Sequence, residues 1–269
     1  MGLGIAQVFA QQGFAVVLYD LTQVQLNKAK GEIEKNLAGA VAKGKMNEAE
    51  KNSCLNNIQF TEKLEDLKAD LIVEAIVEKL EVKQELFKKL AEINTATTIL
   101  ASNTSSIPIT QIAKEIANPG RVAGLHFFNP AHIMKLVEII VAAETGKEIV
   151  DVLKELVIKI GKTPVICKDS PGFIVNRVAR HYYVESLKML EENVASMENI
   201  DALMESAGFK LGPFKLMDMV GNDINFAVTS SLFESFHQDA KFRPSRIQQQ
   251  KVDAGHLGKK SGKGFYSYE

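Results

Sequence analysis

The strongest constraint on the fold comes from the first two-thirds of the chain, where apolar runs of strand length alternate with longer amphipathic stretches. The runs are Phe14–Tyr19 (FAVVLY), Leu71–Ala75 (LIVEA), Thr98–Ser102 (TILAS) and Val122–Phe128 (VAGLHFF). They are too continuously apolar to keep one face wet, so they read as strands covered on both sides. Between them lie Val24–Lys43, Leu80–Ile93 and Ile107–Ile116, charged and helical in pattern. Strand and helix repeated this way predict an α/β domain, a mostly parallel sheet under helices. Leu136–Val141 and Thr163–Cys167 flank a further helical pattern, Lys147–Ile160, and read as strands closing the same sheet.

Beyond Cys167 the period changes. Asp169-Ser170-Pro171 reads as a cap with proline in the first turn, opening a helix that runs to Glu191. Further helical patterns follow at Asp201–Ala207 and Asn222–His237, before a glycine-broken, aromatic tail. The expectation is a domain over residues 1–167 and a smaller all-helical domain over 168–269. With 32 basic and 33 acidic residues the net charge is −1, which gives nucleic acid and anionic membranes nothing to hold. No basic leader precedes an apolar segment, and the uncharged stretch 94–113 is rich in Ser, Thr and Asn. The expectation is a cytoplasmic chain with no membrane span. The two cysteines are far apart in sequence, and the histidines share no metal-ligand spacing, so no metal is assigned.

Four constellations carry chemistry. Met1-Gly2-Leu3-Gly4 opens a helix that ends at Gly13, and the next strand ends in Asp20, 18 residues after Gly2. A dinucleotide-binding βαβ unit has this geometry, with a tight glycine where helix meets sheet and an acidic residue roughly 20 positions on for the ribose. The alternative is an ordinary helix and a surface aspartate. Second, His126 sits inside a buried strand, and Glu138 lies 12 residues on in a second apolar run. A buried carboxylate needs a partner, and an imidazole that takes a proton needs an anion beside it. One pairing meets both needs, though each residue alone is commonly structural. Third, Ser102-Asn103-Thr104-Ser105-Ser106 follows a buried strand, where open α/β sheets place ligands. Ser106 also suits the N-cap of the following helix. Fourth, Asn176 falls in the first turns of the Pro171 helix, facing a cleft at the domain junction or, alternatively, solvent.

Together GIAQVFAQQG, VVLYD, LIVEAIVE, ASNTSSIPIT, GLHFFNPAHIMKLVEII, CKDSPGFIVNR and LGKKSGKGFYSY resemble the short-chain L-3-hydroxyacyl-CoA dehydrogenase family, in particular its bacterial 3-hydroxybutyryl-CoA members. The resemblance implies a Rossmann-like fold, NAD as cofactor, and hydride transfer at C3 of a short 3-hydroxyacyl-CoA or 3-ketoacyl-CoA such as acetoacetyl-CoA. It implies His126 as catalytic base with Glu138 as its partner, and Ser105 and Asn176 on the substrate, with Asn129 beside the dyad. It also implies Gly2, Asp20, Glu78, Lys83 and Asn103 on the cofactor side, and a homodimer formed through the helical domain. The family pattern begins with a strand and a full GxGxxG, whereas this sequence begins at the third glycine. The domain is therefore expected to lack its first strand, to leave two sheet edges unpaired, and to bind NAD weakly. A non-catalytic structural relative is the rival reading. A lysine-dependent β-hydroxyacid dehydrogenase is disfavoured by HFFNP.

Overall fold

The structure, a computed structural model, describes residues 1–268. Contacts group it into two compact units, Met1–Asp169 and the remainder from Ser170.

The first unit runs α1 (Gly2–Gln11), β1 (Val16–Tyr19), α2 (Gln23–Ala42), α3 (Glu48–Asn56), β2 (Ile58–Thr61), β3 (Leu71–Glu74), α4 (Leu80–Ile93), β4 (Ile99–Ser102), α5 (Ile109–Ile112), β5 (Val122–Phe127), β6 (Leu136–Val141), α6 (Lys147–Lys159) and β7 (Thr163–Lys168). All six expected strands are present. Strand β2 and helix α3 were not foreseen. Strand β2 is only four residues long, and α3 is polar, yet Asn47 and Glu50 form a reciprocal capping box that the sequence does display. The helix expected over Ile107–Ile116 is a single α turn that tightens into a 3-10 turn at Ala113–Glu115. Ile116 is already extended, and Pro119 follows.

Strands β3, β4 and β5 are parallel, β6 is antiparallel to β5, and β7 is parallel to β6. The link 128–135 is too short for a crossover helix, so β6 has to return antiparallel. Strand β1 pairs with β2 in a separate two-stranded sheet, and no ladder joins β1 to β3 among the described residues. A cavity of about 1070 Å³ lies along both edges, lined by Val16 to Tyr19, Leu71 to Glu74, Ile5 and Phe9. These are the unpaired edges that the sequence predicts. The strands beside the cavity correct the expectation of full burial. All residues of β4 and β5 are buried, but β1 is only half-buried throughout and β3 is half-buried up to Glu74. The core packs Ile5 and Val8 of α1 with Leu125, Phe127, Val137, Ile139 and Leu153.

The second unit is helical, as expected: α7 (Val175–Glu191), α8 (Met197–Ser206), α9 (Pro213–Val220), α10 (Asn222–Ser235) and α11 (Arg246–Asp253). The cap expected at Asp169-Ser170-Pro171 is not one. Gly172 and Phe173 have φ of 73° and 50°, so the chain turns before α7 begins at Val175. Asp169 instead accepts hydrogen bonds from Ile109 N at 3.0 Å and Thr110 N at 2.7 Å, capping α5.

Two buried aspartates organise this helical unit. Asp218 accepts from Phe265 N (2.9 Å), Tyr266 N (2.9 Å), Asn222 Nδ2 (2.8 Å) and Tyr268 OH (3.0 Å). Asp201 accepts from Phe214 N at 2.9 Å, Lys215 N at 3.1 Å and Tyr266 OH at 2.8 Å. The carboxylates thereby gain the donors that burial denies them from water, and the tail is clasped to α8 and α9. A Cβ at Gly264 would stand 2.0 Å from Asp218 Oδ1, so the clasp requires glycine there. Gly264→Ala should destabilise this unit by about 3 kcal/mol, a severe loss for one methyl group. Urea unfolding followed by tyrosine fluorescence measures it, and a loss under about 0.5 kcal/mol would mean that the tail is not held this way.

Candidate active site

Three parallel strands end at one edge of the sheet, β3 at Glu74, β4 at Ser102 and β5 at Phe127. The loops beyond those ends are where an open α/β sheet binds its ligands. The antiparallel ladder sets His126 of β5 directly opposite Glu138 of β6. Their side chains therefore lie on the same face, within reach of one another. His126 Nδ1 and Glu138 Oε2 are 2.8 Å apart, with side-chain exposures of 7% and 1%. The Phe128 ring lies against the imidazole, 4.5 Å between centroids. A carboxylate held this way fixes the orientation of the ring. The thiol of Cys167 on neighbouring β7 is pushed up to about 12, by burial first and then by the charges of Glu138 and Asp169. It is therefore not a thiolate nucleophile at neutral pH.

The loop after β4 is tied to a single carboxylate. Glu78 Oε1 accepts from Thr104 Oγ1 (2.5 Å), Ser105 N (3.0 Å), Ser106 N (3.3 Å) and Ser106 Oγ (3.2 Å). Ser105 Oγ stands 3.4 Å from the same oxygen. The expected helix-cap role of Ser106 is therefore corrected, because its hydroxyl turns to Glu78 and Asp169 caps α5. Burial by itself would raise the Glu78 carboxyl, but the Thr104 hydroxyl, the Lys83 charge and the Ser105 N–H outweigh it and hold it below the usual range. Lys83 is 1% exposed, with Nζ 2.6 Å from Glu74 and 3.3 Å from Glu78. Asn103 is held at both ends. Its N–H donates to Glu74 O at 2.8 Å, and its Oδ1 accepts from Phe127 N, also at 2.8 Å, one residue from the imidazole.

In the same unit, Met1, Gly2 and Asp20 line the cavity along β1 and β3. These residues fit a dinucleotide. A helix N-terminus and a carboxylate at the end of the next strand are groups that could hold a pyrophosphate and a ribose. No arginine occurs over Leu21 to Leu26 to receive a 2′-phosphate, which favours NAD. Gly4 seats α1 on the loop beyond β5, where its added Cβ would meet Ala131 Cβ at 3.2 Å. Asn129 is exposed in that loop. In the second unit Asn176 is half-buried, second in α7. Among the described residues no cluster of three or more His, Cys, Asp or Glu side chains suits a metal, and no helix is long and apolar enough to cross a membrane.

Sequence reasoning named His126, Glu138, Ser105 and Glu78 but took Glu74 only as a strand end, and assigned Asp169 to the wrong helix. The signal for Glu74 was a lone acid inside LIVEA with a lysine nine residues on.

Comparison with known proteins agrees with this architecture. Residues 1–170 match the family described as 3-hydroxyacyl-CoA dehydrogenase, NAD binding domain, and 172–268 match 3-hydroxyacyl-CoA dehydrogenase, C-terminal domain. A 3-hydroxyadipyl-CoA dehydrogenase of Escherichia coli is 50% identical over 273 residues, covering all of this chain but 57% of that protein. A probable 3-hydroxybutyryl-CoA dehydrogenase of Deinococcus radiodurans is 44% identical, covering all of this chain and 96% of the relative. Among solved structures, (S)-3-hydroxybutyryl-CoA dehydrogenase from Ralstonia eutropha superposes with a TM-score of 0.96 at 37% identity, over all of this chain and 95% of its own. The fold is that of an NAD-binding oxidoreductase. The chain belongs to the 3-hydroxyacyl-CoA dehydrogenase family.

The geometry predicts how the Ser105 loop responds to acid. Glu78 titrates lower when folded than when unfolded, so its anchoring is complete above the ordinary carboxylate range and is lost as pH falls through the depressed value. Amide shifts of Ser105 and Ser106 between pH 7 and 3 should report that loss at one common midpoint, below that of an ordinary glutamate. A midpoint above the usual range would refute the anchoring.

Proposed function

We propose that this chain transfers hydride between NAD and C3 of a short-chain 3-hydroxyacyl-CoA, with His126 and Glu138 as the proton-handling pair. The hydrogen bond between His126 and Glu138 on directly paired strands carries this reading. Asp20, the α1 N-terminus with Gly2, Glu78 and Asn103 would hold NAD, with Lys83 acting from behind Glu78, and the cofactor would supply the hydride acceptor. In oxidation Nε2 of the His126 imidazole removes the C3 hydroxyl proton, and Glu138 stabilises the imidazolium so formed. In reduction the imidazolium donates that proton back. The Ser105 and Asn176 side chains hydrogen-bond the reacting oxygen, where charge changes most between ground and transition state. Asn129 borders the substrate.

The acyl group is taken as four carbons, so acetoacetyl-CoA is the first substrate to try. The name of the Escherichia coli relative makes 3-oxoadipyl-CoA the second. A homodimer formed through the second unit is taken from the family resemblance.

NADH consumption at 340 nm with acetoacetyl-CoA is expected to show turnover by this chain. Absence of turnover with either substrate, in folded protein at saturating NADH, would favour the non-catalytic relative instead. Glu138→Gln should lower kcat about a hundredfold or more while KM for acetoacetyl-CoA changes less than about threefold. Near-normal kcat in that variant would remove the pair from the mechanism.

A further inference from the structure

The contacts of Glu74 lead toward the loop that carries Ser105 and toward the strand residue beside His126. The Glu74 side chain is buried at the end of β3. Oε1 accepts from Lys83 Nζ and Ile76 N, each at 2.6 Å, and Oε2 accepts from Ser102 Oγ at 2.7 Å. Two chains of contacts leave it. Lys83 reaches on to Glu78, whose Oε1 holds the Ser105 and Ser106 amides. Ser102 Oγ accepts from Thr104 N at 3.2 Å, and the Glu74 carbonyl holds Asn103, whose side chain takes the Phe127 amide beside His126.

We propose that Glu74 is a positioning residue, whose carboxylate sets through Lys83 and Ser102 where the Ser105 hydroxyl stands relative to the His126 imidazole. The proposal rests on the reading above, in which that loop presents Ser105 to the reacting oxygen. Its physical basis is the sharing of one ammonium between two carboxylates. Lys83 is 1% exposed, and a buried ion pair contributes little net stability compared with an apolar pair of the same volume. What such a pair does supply is a fixed direction for each partner. With Glu74 neutralised, Lys83 has only Glu78 left as an anion. Lys83 then no longer stands in the direction that Glu74 fixed, and Glu78 loses the aimed charge that holds it under the amides of Ser105 and Ser106.

The test compares the parent chain, Glu74→Gln and the double variant Glu74→Gln/Lys83→Met. Native-state amide exchange is followed at Ser105 and Ser106, with Leu100 and Ala101 of β4 as internal reference. In Glu74→Gln the loop amides should exchange at least tenfold faster while the reference amides stay within twofold. Turnover of acetoacetyl-CoA should fall at least tenfold in kcat, with KM within threefold. The double variant, with both charges gone, should regain the parent's thermal midpoint but keep the fast loop exchange and low kcat. Should Glu74→Gln not fold, the double variant carries the test. Unchanged loop exchange, or a double variant restored in both exchange and kcat, would reduce Glu74 to a counter-ion of Lys83 and overturn the proposal. Exchange needs no turnover, so a parent chain inactive on acyl-CoA would defeat the proposed function and leave this result readable.

Discussion

A carboxylate taken out of water must be given donors, and much of this structure follows from how that is done. Four acids lie buried among the described residues: Glu74, Glu138, Asp201 and Asp218, none more than 4% exposed. Left unpaired, each would cost several kcal/mol. Asp201 and Asp218 take their donors from backbone amides and tyrosine hydroxyls, and the result is mechanical, a tail strapped to its helices. Glu138 takes an imidazole, and Glu74 takes a lysine and a serine. A ring nitrogen can exchange its proton, and an ammonium can be shared, so these two lie where chemistry is done rather than where a tail is held.

One end of the sheet gathers Glu74 and the His126–Glu138 pair. Parallel strands bring their carboxyl ends to one edge, and the loops leaving β3, β4 and β5 converge there. Antiparallel return of β6 then places Glu138 against His126 by ladder register alone, with no loop needed to aim either side chain. The neighbouring cavity has a different cause. Strands β1 and β3 each pair on one side only, and the space between them is lined by apolar residues left half-buried. Dense packing around His126 and an open seam beside Asp20 thus coexist in one unit.

Much of this was legible beforehand. Long apolar runs carry a strong pattern, so six strands and a helical C-terminal part were readable within a few residues. Strand β2, four residues buried only at Ile58 and Thr61, carries too little pattern to stand out. The Asp169 cap failed because local spacing cannot say which helix an aspartate serves. Gly172 and Phe173 turn the chain away from the nearer one.

For the site, sequence alone determined which chemical groups are present. An imidazole and a carboxylate in buried runs, a serine-rich loop after a strand, and an acid closing the second strand are facts of residue type and hydrophobic pattern. Tertiary structure decided what each group meets. His126 opposite Glu138 is a matter of register, and slipping the ladder by one residue would send the two to opposite faces. Glu74 reaching Lys83 and Ser102, across 9 and 28 positions, depends on strand order, which hydrophobic pattern does not encode. Residue type is local, whereas a hydrogen-bond partner is chosen by how the backbone packs.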